Sequence, residues 1–136
     1  MYKKILVPMA LDHGISPQTL EIARALGGGS AEIVALHVYE MPQGSVSVYL
    51  DKDAVADGFA RAREVLMNKL EGLTDVKPEL VKGHTARTII DYANDHVFDC
   101  IVIGSHRPGL TDYFLGSTAS RVVRHAKCAV HVHRRT

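Results

Sequence analysis

The segment from Gly104 to Ser117, G-S-H-R-P-G-L-T-D-Y-F-L-G-S, gathers residue types that suit an anionic ligand. Glycine lets backbone N–H groups approach a ligand closely. Ser117 offers a hydroxyl, and a helix starting there presents unpaired N–H groups and the positive end of its dipole. Arg107 adds a charged donor, and phosphate is the ligand such a loop would take. Each exposed dipole contact is worth only about 0.3–1 kcal/mol, so several must act together. Taken alone, the loop is better explained by tight turns at Gly104 and Gly116 with Ser117 as a helix cap.

Other reactive side chains point to less. His131 and His133 share one face of a strand, and His106 and His125 are near in sequence, but no third ligand stands at a metal-like spacing, so no metal is expected. Cys100 and Cys128 lie 28 residues apart with no C-x-x-C, which writes neither a disulfide framework nor a zinc site. They read as small core residues in a reducing compartment, the cytoplasm. His106 could act as a general base, as a donor to phosphate, or as a plain loop residue. No Ser, Cys or carboxylate sits in a recognisable nucleophile motif, so a dedicated hydrolase is not expected. The chain also lacks G-x-x-x-x-G-K-[ST] and G-x-G-x-x-G, which removes the usual phosphate-loop ATPase and dinucleotide readings.

The elements that must position these residues belong to a chain of 136 residues, 46% hydrophobic and 23% charged. That is one domain spanning 1–136, large enough to bury a core without disulfide or metal staples. Sixteen Lys and Arg against fifteen Asp and Glu leave no strong overall field, which argues against nucleic acid and acidic membranes as partners. The balance is uneven along the chain. From His106 to Thr136 six cations (Arg107, Arg121, Arg124, Lys127, Arg134 and Arg135) face the single acid Asp112, a pattern suited to a small polyanion or to a solvated basic face. No uncharged apolar run approaches the roughly 18 residues of a membrane span. The opening Met1-Tyr2-Lys3-Lys4 and apolar Ile5 to Leu11 imitate a secretory leader, but Asp12 and His13 close the run without a cleavage site, and it reads better as a strand.

Along the chain, strand and helix signals alternate. Ile5-Leu6-Val7 is a buried strand broken by Pro8. Ser16 caps a helix with Pro17 at its first position, Leu20, Ile22, Ala23 and Leu26 as its stripe, and Gly27-Gly28-Gly29 at its end. Glu32 to Tyr39 is the second strand, and Glu40 to Lys52 a long loop. Asp53 is expected to cap a helix whose face is Val55, Phe59, Ala62, Leu66, Leu70 and Leu73. Val76 to Val81 is a strand placed at a sheet edge because Pro78 lacks an N–H. Thr85 is expected to cap the next helix, Cys100 to Ile103 is the fourth strand, a helix runs from Ser117 to about His125, and a last alternating strand follows from Cys128. This order predicts an α/β fold: five parallel strands ordered 3-2-1-4-5 with helices on both faces. Ligands of such sheets bind outside the carboxyl ends of the strands where the winding reverses, here between strands one and four, which nominates the loops from Pro8 to Gly14 and from Gly104 to Ser117.

The segment G-S-H-R-P-G-L-T-D-Y-F-L-G-S-T-A-S-R-V-V-R-H-A, with K-K-I-L-V-P at the start, A-L-H-V-Y-E after the second strand and C-A-V-H-V-H-R at the end, closely resembles the universal stress protein family over essentially the whole chain. The resemblance implies a Rossmann-like domain, usually a homodimer, one branch of which binds ATP through G-x2-G-x9-G-[ST]. Position by position, Gly104, Gly116 and Ser117 match that pattern, with Thr118 next to it. Arg107 stands where the middle glycine belongs, Gly109 follows two residues later, and Gly116 comes one residue early. This S-H-R-P form resembles a variant within the nucleotide-binding branch, in which the arginine either contacts phosphate or blocks its path. Where the family often places an aspartate two residues after the first strand's proline, Pro8 is followed by Ala10, and Asp12 is the nearest acid. Val38 matches a position whose backbone contacts adenine in the family. His106 would be a phosphate-side donor.

The expectation is therefore an adenine-nucleotide-binding stress protein taking ATP, ADP or AMP with or without Mg²⁺, dimeric through its last strand, with at most slow ATP hydrolysis and a regulatory protein partner of unknown identity. The competing expectation is a nucleotide-free dimeric interaction module of the same fold.

Overall fold

In the computed structural model, which describes residues 1–11, 16–40, 52–105 and 115–134, five strands pair in parallel in the order β3-β2-β1-β4-β5. They are β1 (Lys4–Pro8), β2 (Glu32–Tyr39), β3 (Val76–Lys82), β4 (Cys100–Gly104) and β5 (Ala129–His133). The helices are α1 (Pro17–Gly27), α2 (Lys52–Lys69), α3 (Thr85–Asp95) and α4 (Ser117–His125). The expected strand order and winding are thus the observed ones. β3 lies at the edge, where Pro78 leaves no ladder bond unmade. The inner strands carry apolar runs because both of their faces are covered. Ile5, Leu6 and Val7 of β1, and Cys100 to Ile103 of β4, are all buried.

Alternation along the strands feeds two cores. On one face Ile5, Val7, Ile33, Ala35, Cys100 and Val102 meet Leu20 and Ala23 of α1 and Leu66 of α2. On the other, Leu6, Val34, Leu36, Ile101 and Ile103 meet Ile89 and Ala93 of α3 and Ala119 and Val122 of α4. Burial pushes the Cys100 thiol up to about 11, so it behaves as an apolar filler. Cys128 is half-buried against the second core.

Local chemistry sets the helix ends. At α1 the Ser16 hydroxyl accepts from the Thr19 N–H at 3.1 Å, Pro17 occupies the first turn, and Gly28 closes the helix in the left-handed region with φ 62°. Three expected starts differ by one or two residues. Asp53 lies inside the first turn of α2, which is already helical at Lys52. The cap residue of α3 is His84, so Thr85 is its first helical residue. The last strand begins at Ala129 rather than Cys128.

The exit from α3 was not legible. Val97 has φ 57°, and around it the Phe98 N–H bonds the Ala93 carbonyl at 2.8 Å and the Val97 N–H the Asn94 carbonyl at 3.3 Å. This double bond pattern closes a helix through a left-handed residue, a place for glycine. A β-branched residue there costs roughly 1–2 kcal/mol, partly offset by the lower chain entropy it loses relative to glycine. Val97 is also exposed, so no packing is lost on replacing it. Val97→Gly is expected to stabilise the protein by about 0.5–1 kcal/mol, raising the thermal midpoint by a few degrees; a lowered midpoint would contradict this.

Candidate functional site

The carboxyl ends of the strands form the lip on which the site is built. The last paired residues there are Pro8 with Leu36, and Gly104 with His133. Past the end of β1, the Met9 N–H bonds the Leu36 carbonyl at 2.9 Å, and His37 Nδ1 lies 2.9 Å from the Met9 carbonyl, which accepts its proton. The chain leaving β1 is thereby tied to β2 before it reaches Ala10, which is exposed. Val38 lies two residues beyond the partner of Pro8, with its side chain buried in the α3 and α4 core.

At β4 the lip has an opening. Gly104 is exposed, and a β-carbon placed on it would meet nothing within 4 Å among the described residues. The next residue, Ser105, is buried and works through its backbone: its N–H bonds the His133 carbonyl at 2.9 Å and its carbonyl accepts the Gly116 N–H at 3.1 Å. The ends of β4 and β5 and the start of α4 are thus linked. Gly116, not Ser117, is the cap residue of α4, with φ −50° and ψ 153°, and among the described residues no side chain caps that helix. Ser117 and Thr118 are its first two helical residues, and Ser120 Oγ donates to the Leu115 carbonyl at 3.0 Å, bracing the entry. The N–H groups of this first turn and the helix dipole favour an anion.

Ser117 and Thr118 open onto a cleft of about 210 Å³ between the starts of α3 and α4, lined also by Glu40, His84, Thr85, Ala86, Arg87 and Arg121. The two helix starts are treated differently. That of α3 is met by Glu40, whose Oε1 accepts from the Thr85 N–H at 3.2 Å and from its hydroxyl at 2.6 Å. These bonds hold the Glu40 carboxyl below its ordinary range. The start of α4 has Arg121 one turn along on the same side of the helix. The positive end of α3 is thus answered from within the chain; the positive end of α4 has Arg121 beside it, while Arg87 Nε lies 3.7 Å from Asp91 Oδ2.

The structure therefore distributes the expected contacts over two adjoining places. Pro8, Ala10, Val38 and Gly104 stand at or beside the strand ends, and Ser117 and Thr118 line the cleft, joined to Gly104 through Ser105 and Gly116. Asp12, His106, Arg107 and Gly109 lie outside the described residues. Glu40, Thr85, Arg87 and Arg121 were not anticipated as site residues. Arg121 was visible as part of the cationic third and stands four residues after Ser117, the spacing of one helix face; the Glu40 to Thr85 contact had no local signal. Among the described residues no group of three or more His, Cys, Asp or Glu could hold a metal ion, and no helix is long and apolar enough to cross a membrane.

A doubly wound parallel sheet in the order β3-β2-β1-β4-β5, with helices on both faces, defines a Rossmann-like α/β protein. The chain belongs to the universal stress protein family, whose profile matches residues 1–134. Universal stress protein G of Salmonella typhimurium is 30% identical, the match covering 97% of this chain and 99% of that protein. A universal stress protein of Methanothermobacter thermautotrophicus is 27% identical over 97% of this chain and 95% of its own. Among solved structures, the hypothetical protein MJ0577 superposes with a TM-score of 0.77 at 27% identity, covering 100% and 98% of the two chains. A universal stress protein solved in complex with cAMP shares the fold at a TM-score of 0.59 and 20% identity, covering 99% and 98%.

Proposed function

We propose that this chain binds an adenine nucleotide, ATP or its shorter forms ADP and AMP, at the carboxyl edge of β1, β2 and β4, and that binding serves a regulatory role in a stress response. The observation that carries the reading is the juxtaposition at Gly104. A side-chain-free, exposed strand end at the point where the winding reverses is tied through Ser105 to the uncapped start of α4. The strand end offers a flat surface for a nucleoside, and the helix start with Arg121 offers N–H groups and positive charge for its phosphates. A relative of the same fold holding cAMP supports the class of ligand. Carried over by family resemblance, Val38 would meet the base through its backbone, Pro8, Ala10 and Asp12 would border the sugar, and Gly104, His106, Arg107, Gly109, Gly116, Ser117 and Thr118 would take the phosphates, with Mg²⁺ optional.

Binding rather than turnover is the function proposed. The protein acts in the cytoplasm as a homodimer in which the exposed edge of β5 pairs with its copy, a proposal that a monomer mass in light scattering would exclude. Titration of the purified chain with ATP, ADP and AMP, each with and without Mg²⁺, tests the ligand. Saturation at one nucleotide per chain is expected, and at a hundredfold excess over Kd it adds about 2.7 kcal/mol to stability. No heat and no thermal shift with any of the three would sink the reading in favour of an interaction module.

A further inference from the structure

We infer that His133 is a further ligand contact of this site, its Nε2 donating a hydrogen bond to an oxygen of the bound nucleotide; the inference rests on the nucleotide reading above. His133 Nε2 is buried and has no hydrogen-bond partner among the described residues. A buried polar atom left unpaired bears its full desolvation penalty with no compensating bond, and native proteins seldom keep one without a reason. His131, two residues earlier on the same strand, is exposed and needs no such account.

The place of the ring supplies the reason. Val130 and Val132 pack into the α3 and α4 core, so alternation turns His131 and His133 to the opposite sheet face. On β4, Cys100 and Val102 pack into the α1 and α2 core, so the same alternation assigns Gly104 to that face as well. Gly104 and His133 are paired in register. The imidazole is therefore the in-register neighbour, on the same face, of the position where β4 carries no side chain and no described residue lies within 4 Å of a built β-carbon. Its placement is fixed from behind, since its own carbonyl accepts the Ser105 N–H at 2.9 Å and Ser105 in turn holds the start of α4. A nucleotide lying over Gly104 brings its ribose hydroxyls or phosphate oxygens beside the ring, and an imidazole N–H is a donor suited to either.

The test is a pair of variants, His133→Phe and His133→Gln, measured with and without ATP. Phe keeps the shape and removes the unpaired nitrogen, so the ligand-free protein is expected to melt at the same or a higher temperature while ATP affinity falls about tenfold, the loss of one good hydrogen bond. Gln carries an amide N–H near the position of Nε2 and is expected to stay within about threefold of the parent. Adenosine separates the two sources of oxygen: a loss shared by adenosine and ATP places the bond at the ribose, and a loss confined to ATP places it at a phosphate. Equal ATP affinity in the parent and His133→Phe overturns the inference and leaves the nucleotide reading standing. A lowered ligand-free midpoint with an equal affinity loss in both variants marks a packing role and also overturns it. A parent chain that binds no nucleotide overturns both.

Discussion

Gly104→Val is expected to fold as well as the parent and to lose nucleotide binding by a factor of a hundred or more. The two halves of this result have separate causes. Among the described residues the left-handed glycines are Gly28, Gly29, Gly72 and Gly83, not Gly104, and a β-carbon on Gly104 would meet nothing within 4 Å. Neither backbone strain nor overlap with the described residues opposes a side chain there. An extended strand end favours a β-branched residue over glycine by up to about 1 kcal/mol, partly through the unfolded state, so the thermal midpoint should be unchanged or raised. The same isopropyl group projects over the lip beside His133, into the surface a nucleotide would cover. A hundredfold loss corresponds to about 2.7 kcal/mol, a modest demand for a steric block at the centre of a site. Calorimetric titration beside a melting curve reads both halves. Parent-like affinity in a well-folded variant would move the ligand away from β4.

Gly27→Ala should do the reverse, lowering stability without touching the site. Gly27 is the last residue of α1 and is buried. By helix propensity alone alanine would be better by about 1 kcal/mol. Packing decides the sign instead: a β-carbon on Gly27 would overlap that of Ala31, and would lie 3.4 Å from Ile5 Cδ1. The Ala31 methyl is fixed to the backbone just before β2, so relief requires moving the α1 to β2 connection rather than turning a flexible side chain. Overpacking of this kind costs roughly 1–3 kcal/mol. The net expectation is a loss of about 2 kcal/mol and a thermal midpoint lower by several degrees, with nucleotide affinity retained at a temperature where the variant is folded. The double variant Gly27→Ala with Ala31→Gly should recover most of the loss, because the two methyl groups compete for one space. A neutral or stabilising single variant would show that the connection yields freely.

Much of the fold was written locally. Pro78 placed β3 at an edge because a proline cannot donate to a second neighbour, and that one residue helped fix the order of the whole sheet. The Ser16-Pro17 pair marked the start of α1, and the unbroken apolar runs of β1 and β4 marked strands covered on both faces. What escaped were features made by residues far apart in the chain. Thr85 looks like a cap when read alone. In the fold it is the first helical residue, and its N–H and hydroxyl go to Glu40, 45 residues earlier, because the end of β2 passes the start of α3. Val97 gives no sign of its left-handed backbone, since the closing bonds come from α3 behind it.

The site divides in the same way. Gly104, Gly116 and Ser117 were nominated by glycine spacing at a strand-to-helix junction, a local pattern with a local cause. Arg121 was legible as a charge and not as a neighbour of Arg87, because α3 and α4 meet only in the folded chain. Read in sequence, His133 is half of a His-x-His pair with no third metal ligand. Its register with Gly104 is what gives it another meaning.

The most direct test of the central claim is an amide chemical-shift titration of the labelled chain with ATP. The account predicts saturable shifts centred on Gly104, Ser105, Gly116, Ser117 and Thr118, reaching Val38 and Ala10, with the amides of α1 and of the outer face of α2 unmoved. Shifts absent at millimolar ATP, or clustered away from the carboxyl edge of the sheet, would contradict it.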